Sequence, residues 1–286
     1  MEKEALIDML NRDMAEEHAA IIRYLVHSYL EGEDSPLGAS LLSRSREEMW
    51  HMHWLGMIVG KLGGEPNMTP STYPFDPTNR STIFQSYVKY EEQLVPHYHG
   101  EADKVDDPHI KRVLHREAWE SEVHARRFER ILGKLTPEQA AGLPGEANAL
   151  PADFVESLQA ITQKNYLAVL QHARNAWVFQ GERIRGWEIM DYAMTKMKQL
   201  AHVAEEVSEN GIEPSLKPTA VDIEKGLTGA LVKALENMMT SLEDHRRLRA
   251  EGETGKHAGL VINLDLTVQQ EGYQIEETQE WIKKES

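Results

Sequence analysis

Ionisable side chains interrupt two apolar helical stripes near the start of this chain. Glu17 falls among apolar residues spaced three and four apart, and Glu48 and His51 fall within a second such run. A carboxylate taken out of water without a partner must be protonated, pair with a cation or bind a metal. Two helices that each direct a carboxylate inward, one with a His three residues later, fit a di-metal site inside a four-helix bundle.

The composition restricts the class of protein. The 286 residues suffice for two domains that each bury a core, and 41% hydrophobic and 27% charged residues are ordinary for a globular protein. A formal net charge of −16 argues against nucleic acid and anionic membranes as partners, because both require a basic face. The absence of Cys excludes disulfides, thiolate metal sites and iron–sulfur clusters.

The sequence also bears on localisation. The first residues, Met-Glu-Lys-Glu-Ala, lack the basic and apolar regions of a signal peptide, and no run of about 18 apolar residues occurs. We therefore expect a cytoplasmic protein that does not cross a membrane.

Apolar periodicity and helix stop signals predict four long helices in the first half of the chain. The expected ranges are about 3–30, 37–62, 82–104 and 107–132. The connection between the second and third helices, residues 63–79, is long and rich in Pro, whereas the other two connections are short. This is the connectivity of a four-helix bundle with one crossover.

The second half is predicted to repeat the first. A stretch rich in Pro and Gly, residues 136–152, predicts a linker. Ala20 to Ile22 matches Ala168 to Leu170, and Glu65-Pro66 matches Glu213-Pro214, both 148 residues apart, which indicates internal duplication. We expect an all-α protein with two tandem four-helix bundles, and the last two helices near 220–250 and 258–284. The domains are 1–135 and 153–286.

The third and fourth helices add two more inward donors. Glu91 and His124 lie on the apolar stripes of these helices. A single inward Glu would more often pair with Arg or Lys, but one donor from each of four helices at a similar depth favours a metal. Carboxylate oxygens with imidazole nitrogens suit iron or manganese.

Three motifs in the first half carry a resemblance to a known family. They are Glu17 followed by Ala-Ala-Ile-Ile-Arg-Tyr, the run Glu48-Met-Trp-His, and the helix stop Leu62-Gly-Gly-Glu-Pro-Asn. In these motifs the chain resembles the ferritin-like superfamily, particularly its bacterioferritin and rubrerythrin branches, closely over 1–135 and weakly over 155–284. The resemblance implies ferritin-like bundles and a di-iron or di-manganese carboxylate site that reacts with dioxygen or peroxide. The residues that match the family's ligands are Glu17, Glu48, His51, Glu91 and His124.

One position departs from the family pattern. Ser121 stands where the family has a Glu, three residues before the His of the fourth helix. Glu120 is the natural substitute as a metal ligand, because residues four apart share a helix face. Glu117 lies about 10 Å along the axis from His124, too far to share its metal. If the Glu120 carboxylate does not reach the second metal, the site is mononuclear, weak or open on one side.

The second half departs from the pattern throughout. The residues matched to Glu17, Glu48, His51, Ser121 and His124 are Asn165, Lys196, Gln199, Gln270 and Tyr273. Only Glu236, on the third helix of this half, keeps a carboxylate, and a Lys196–Glu236 pair would neutralise the core. We therefore expect the second half to be structural and to have lost the metal ligands.

Two further residues have candidate roles. Met49 matches the Met that ligates haem across the bacterioferritin dimer, and Met197 occupies the equivalent place in the second half. Met is a common core filler, however, so haem is not expected. Tyr24, on the stripe of Glu17, is a candidate electron donor or hydrogen-bond partner of the ligands.

Two classes of function remain open. The first is a redox enzyme with two iron ions, or manganese, acting as ferroxidase, peroxidase or oxygenase on dioxygen or peroxide. The second is a non-catalytic protein that handles metal, or a metal-free scaffold. A homo-oligomer is compatible with either class. The metal ligands predicted for the first are Glu17, Glu48, His51, Glu91, Glu120 and His124.

Overall fold

The computed structural model is helical and has no strand over the residues that it describes, which are 1–32, 34–143, 150–182, 185–217 and 219–285. The all-α prediction is therefore confirmed. The chain forms two compact units, Met1–Gly145 and Glu146–Ser286. The division falls inside the predicted linker, of which residues 144–149 lie outside the described residues.

The first unit contains four long helices and one short one. The long helices pack as two pairs, α1 along α2 and α3 along α4, and α2 also contacts α4. The short α5 lies within the predicted linker and contacts α3, where Arg80 Nη1 donates to the Gln139 carbonyl at 2.7 Å. The helices are α1 Lys3–Glu31, α2 Pro36–Lys61, α3 Arg80–Ala102, α4 Pro108–Leu132 and α5 Pro137–Ala141.

Local sequence signals explain where these helices begin. The Ser35 hydroxyl accepts from the Gly38 N–H at the start of α2, and Asn79 and Thr82 form a reciprocal capping box at the start of α3. Asp107 accepts from the N–H groups of His109 and Ile110, with Pro in the first turn of α4. The ends of all four long helices lie within two residues of the predicted ones.

The crossover between α2 and α3 is fastened to α1. Asn11 donates to the Glu65 carbonyl at 3.0 Å and accepts from the Asn67 N–H at 2.8 Å. The Ser71 N–H donates to the Ala15 carbonyl at 2.8 Å. These bonds carry the chain across α1 to the start of α3, so that α1 and α3 both line the interior of the bundle.

The second unit also contains four long helices, and α8 is shorter than predicted. It begins at Leu227 rather than near residue 220, because the preceding segment bonds to α6. There the Asp222 N–H donates to the side-chain carbonyl of Gln171 at 2.7 Å, which uses a backbone donor outside any helix. A short 3-10 turn, Thr254–Lys256, precedes α9. The long helices are α6 Ala152–Val178, α7 Arg185–Glu209, α8 Leu227–Ala250 and α9 Ala258–Glu285.

The second unit repeats details of the first at the spacing seen in the sequence. Gln159 donates to the Glu213 carbonyl at 2.9 Å, as Asn11 does to that of Glu65. Gly63 and Gly211 follow α2 and α7 with φ of 74° and 69°, values in the left-handed region that glycine tolerates. The repeat therefore extends from sequence blocks to individual hydrogen bonds and turns.

Candidate metal centre

Helices α1 and α2 bring two carboxylates to one imidazole. His51 Nδ1 lies 3.1 Å from Glu17 Oε2 and 2.8 Å from Glu48 Oε2. All three residues are at most 2% exposed. The Tyr98 hydroxyl on α3 donates to Glu17 Oε1 and fixes the second oxygen of that carboxylate. The three side chains form a buried group whose ligand atoms lie within 4.8 Å of one another.

A second group forms where α3 and α4 meet α2. His124 Nδ1 lies 2.7 Å from Glu48 Oε1 and 3.4 Å from Glu91 Oε1. His124 and Glu91 are fully buried. The ligand atoms of Glu48, Glu91 and His124 also lie within 4.8 Å of one another. Glu48 therefore belongs to both groups, with one oxygen directed to each histidine.

Several of these atoms have no hydrogen-bond partner, which is the test of whether the group fits a metal. Glu48 Oε1, Glu91 Oε2 and His124 Nδ1 are buried and lack a partner with hydrogen-bonding geometry, although Glu48 Oε1 and His124 Nδ1 are close. Buried polar atoms almost always have partners in native proteins. In the group of Glu48, Glu91 and His124 the ligand atoms thus lie close together without satisfying one another, which is typical of ligands around a cation, so the residues present fit a metal.

The outer nitrogen of each histidine contacts a further carboxylate. His51 Nε2 lies 2.6 Å from Glu120 Oε2, and Arg116 lies 3.0 Å from the other oxygen of Glu120. Burial would lower the pKa of His51, but Glu17 and Glu48 raise it well above its usual range. A bound cation would displace the Nδ1 proton, and Glu120 would then hold the tautomer in which Nε2 carries the proton and Nδ1 faces the interior. Glu120 thus lies behind His51 and is in neither ligand group.

The same arrangement is found at the other histidine. His124 Nε2 lies 2.6 Å from Glu47 Oε2, and Arg44 Nη1 lies 2.7 Å from the same oxygen. Glu47 and Glu120 therefore play equivalent parts, each holding one imidazole and each paired with an arginine. Two histidines oriented in this way are typical of a metal site with an organised outer shell.

Burial and mutual repulsion perturb the titration of the carboxylates. Burial, with the charge of Glu48 adding to it, raises the pKa of Glu17 to about 8. Burial and the Glu48 charge also raise the pKa of Glu91. Burial would raise the pKa of Glu48 too, but contacts with His124 and His51 hold it well below its usual range. Without a cation the centre therefore retains protons that a divalent ion would displace.

Comparison with known protein families identifies the first unit. Residues 7–136 match the ferritin-like domain family. The matched range runs from α1 to beyond the end of α4 and does not include the second unit. No curated protein and no solved structure gives a match to this chain. None of the described helices is long and apolar enough to cross a membrane.

Within the ferritin-like domain, Ser121 leaves space in the ligand pattern. Its side chain is 1% exposed and its hydroxyl has no hydrogen-bond partner. The structure brings Glu17, Glu48, His51, Glu91 and His124 together and places Glu120 outside, against His51. Met49 is half-buried on α2, between the inward Glu48 and the exposed Trp50.

Tyr24 lies beside the ligands of the ferritin-like domain. Its hydroxyl donates to Glu91 Oε1 at 2.6 Å and lies 2.9 Å from the Tyr73 hydroxyl. Tyr24 is fully buried, and burial together with the charge of Glu91 raises its pKa well above its usual range. Tyr73, from the crossover segment, is partly exposed and had given no signal in the sequence.

Two acidic residues that were not predicted as metal ligands lie next to the centre. Glu117 is fully buried and neither of its carboxylate oxygens has a partner. It interacts with the charges of His51 and Glu17, so its distance from His124 did not exclude it from the neighbourhood of the other ligand group. Glu47, one position before the inward Glu48, had given no signal in the sequence.

In the second unit a fixed positive charge replaces the metal pattern. Lys196 Nζ donates to Glu271 Oε1, and Ser241 Oγ donates to the same oxygen at 2.7 Å. His245 Nδ1 lies 2.9 Å from Glu271 Oε2. Lys196 and Glu271 are at most 1% exposed. The core of this unit is therefore neutralised by its own side chains.

Three of the sequence matches in this unit were wrong. The expected partner of Lys196, Glu236, is exposed and lies 3.8 Å from Lys233 instead. Gln270 is exposed, and Tyr273 is 65% exposed. At a spacing of 147 residues His124 corresponds to Glu271, whereas the matches to Gln270 and Tyr273 had used a spacing of 149. This difference of two residues corresponds to a rotation of about 200° around the helix, which exchanges a buried for an exposed position.

Proposed function

We propose that the ferritin-like domain binds two iron ions, or two manganese ions, and carries out redox chemistry with dioxygen or peroxide. The observation that supports this most strongly is the pair of ligand groups that share Glu48. A carboxylate with one oxygen in each of two groups is suited to bridge two cations. Glu17 and His51 would hold one ion, and Glu91 and His124 the other.

The donor set favours redox-active metals of the iron and manganese type. Each ion would meet carboxylate oxygens and one imidazole nitrogen, and the chain has no thiolate that would select a softer ion. Bound iron would supply the one-electron chemistry by which dioxygen or peroxide is reduced. The metal ligands do not determine the substrate. The molecule that reaches the site decides whether the domain acts as a ferroxidase, a peroxidase or an oxygenase.

The surrounding side chains have defined tasks in this proposal. Glu120 and Glu47 accept the outer N–H of the two histidines and so keep each Nδ1 directed inward. Glu17 and Glu91, whose pKa values are raised, would release their protons on binding a cation. Tyr24 donates a hydrogen bond to Glu91 and contacts Tyr73, so we assign it the transfer of an electron and a proton between the site and the partly exposed Tyr73.

The absence of a Glu at position 121 favours a second candidate, a domain that binds metal without catalysis. With Ser121 in place and Glu120 turned to His51, the two groups have one fewer carboxylate than the family pattern implies. Fewer anionic ligands would weaken the affinity for the second ion. A metal-handling protein would take up ferrous iron without consuming oxygen.

Oxygen consumption after addition of ferrous iron separates these two candidates. Protein purified without chelator receives two equivalents of ferrous iron in air, and dissolved oxygen and bound iron are measured together. We expect oxygen consumption that depends on the protein, and expect Glu48→Gln to abolish it and to lower the bound iron. Glu92→Gln is the matched control, because Glu92 follows Glu91 on α3 but is exposed.

The oxygen consumption and the bound iron together decide between the two candidates and test the shared-carboxylate site. Bound iron without oxygen consumption would support the metal-handling candidate and refute the redox proposal. If Glu48→Gln and Glu92→Gln retained the same bound iron, the shared-carboxylate site itself would be refuted.

A further inference from the structure

A third group of metal-ligand side chains lies one helical turn from the centre. Asp13 on α1 and His97 and Glu101 on α3 offer ligand atoms that all lie within 4.8 Å of one another. His97 Nε2 is 2.8 Å from Asp13 Oδ1 and 3.7 Å from Glu101 Oε2. Asp13 precedes Glu17 by four residues, so the two lie about 6 Å apart along α1.

The carboxylates of this group are buried and incompletely bonded. Asp13 is fully buried and Glu101 is 4% exposed, yet Asp13 Oδ2 and Glu101 Oε2 have no hydrogen-bond partner. Burial, together with the neighbouring Asp13, raises the pKa of Glu101 to about 8. Since unsatisfied buried carboxylate oxygens are costly, this arrangement calls for a cation or for protons.

Glu117 connects this group to the centre. Both of its oxygens are buried without a partner, and it interacts with the charges of Asp13 and of Glu17. The Tyr98 hydroxyl donates to Glu17. Burial raises the pKa of Tyr98, and the charges of Glu17, Glu117 and Asp13 raise it further. Glu117 therefore interacts electrostatically with both groups, and Asp13, Glu117 and Glu17 are all at most 1% exposed.

The group opens to solvent at only one side chain. The His97 side chain is 40% exposed, whereas those of Asp13 and Glu101 are at most 6% exposed. An ion that entered past His97 would meet Asp13 and Glu101 first and the buried Glu117 next. His97 is thus the exposed member of the group, and the buried carboxylates lie behind it.

The second unit shows that the fold does not need these acidic residues. Its equivalent positions are Ile161 for Asp13, Leu248 for Glu101 and, in α9, Leu264 for Glu117. These three apolar residues belong to one buried hydrophobic cluster. The same bundle position is therefore filled by an ordinary core in one unit and by three carboxylates in the other, which indicates a ligand rather than a packing requirement.

We propose that Asp13, His97 and Glu101 bind a divalent cation and pass it through Glu117 to Glu17 and His51. The binding step stands on the geometry of the three ligands alone. The transfer step rests on the proposed function of the centre. The alternative is a metal-free ion pair between a protonated His97 and Asp13, with Glu101 protonated.

Binding is tested by counting Mn2+ ions on the full chain, with free Mn2+ followed by its electron paramagnetic resonance signal. We expect three ions for the native protein and two for His97→Ala and for Glu101→Gln. His99→Ala is the matched control and should retain three, because His99 is exposed on α3 and contacts His115 rather than this group. His97→Ala changes a largely exposed side chain, so it keeps the test valid if Glu101→Gln does not fold.

The two proposals fail separately. In Glu48→Gln we expect the central ions to be lost and one ion to remain, and this remaining ion should disappear on adding His97→Ala. Equal Mn2+ binding by His97→Ala and His99→Ala would overturn the third site, whatever happens at the centre. Loss of one ion in His97→Ala, with no ion lost in Glu48→Gln, would refute the centre and leave the third site.

Transfer is tested by the rate at which the centre fills. In Glu117→Gln the number of bound Mn2+ ions should be unchanged, while stopped-flow loading of the two central ions becomes slower than in the native protein, because the carboxylate between the two groups is lost. Glu92→Gln should load at the native rate. Unchanged loading in Glu117→Gln would overturn the route through this residue.

Discussion

Lys196 and Glu271 of the second unit occupy the positions that Glu48 and His124 occupy in the first. In both units the α2-type helix contacts the α4-type helix through an acid and a base, but the acid and the base have exchanged helices. In the first unit the acid is shared with a second histidine. In the second, an ammonium group takes the place of that carboxylate, so a positive charge stands where a cation would bind.

Substitution of Glu271 should strongly destabilise the second unit. Glu271→Gln leaves the ammonium of Lys196 buried without its counter-charge, and removing one partner of a buried pair costs about 3–5 kcal/mol. The double variant Lys196→Met, Glu271→Leu removes both charges and should recover most of that loss. Urea unfolding of the three proteins measures the difference. A double variant as unstable as Glu271→Gln would show that lost packing, rather than the unpaired charge, destabilises the unit.

The pair should also make the second unit sensitive to acid. Burial would raise the pKa of Glu271, but His245 and Lys196 lower it from 4.5 to about 2. A lowered folded-state pKa gives stability that is present above about pH 4.5 and is lost as the pH falls towards 2. The stability advantage of the native protein over Glu271→Gln should therefore shrink across this window. An advantage that stayed constant from pH 5 to pH 3 would contradict the assigned pair.

Metal should stabilise one unit and leave the other unchanged. A ligand at a hundredfold excess over its Kd stabilises the folded state by about 2.7 kcal/mol. In hydrogen exchange of the full chain, added Mn2+ should slow exchange in α1 to α4 and have no effect in α6 to α9. The control is Glu48→Gln, in which the protection of α1 to α4 should be much reduced. Equal protection of both units would show that the second unit has retained a site.

Glu120 should affect the metal affinity of the centre without being a metal ligand. Because it holds the outer nitrogen of His51, Glu120→Gln should weaken metal affinity by about 10- to 100-fold while the number of ions at saturation stays the same. Glu122→Gln serves as the control and should change neither quantity, because the Glu122 side chain is 47% exposed and pairs with Arg126. Loss of one ion at saturation in Glu120→Gln would show instead that Glu120 is a ligand.

Much of the first unit could be predicted because buried helical stripes specify direction. The spacing of apolar residues placed Glu17, Glu48 and Glu91 inside the bundle, and the structure brings all three to one place. The resemblance to the ferritin-like family supplied the same residues, and the family match over residues 7–136 confirms it. Caps and prolines fixed the helix ends within two residues.

The other features of the site depend on side-chain torsions and on the rotation of each helix, which the apolar stripe of a helix does not determine. Whether Glu120 faces the interior or the back of His51 depends on side-chain torsions and on the competing attraction of Arg116. Glu117 was judged by its distance from His124, although it lies near Glu17 and His51. In the second unit, a two-residue error in the repeat spacing matched His124 to Tyr273 instead of Glu271, and periodicity alone gives no warning of such an error.

The central claim is that one carboxylate, Glu48, bridges two metal ions. The most direct measurement is the electron paramagnetic resonance spectrum of Mn2+ bound at two equivalents to the His97→Ala protein, in which the outer group is disabled. Two ions bridged by Glu48 should give the broadened spectrum of a spin-coupled pair, and Glu48→Gln in the same background should remove it. Spectra of isolated, uncoupled Mn2+ that are unchanged by Glu48→Gln would contradict the account.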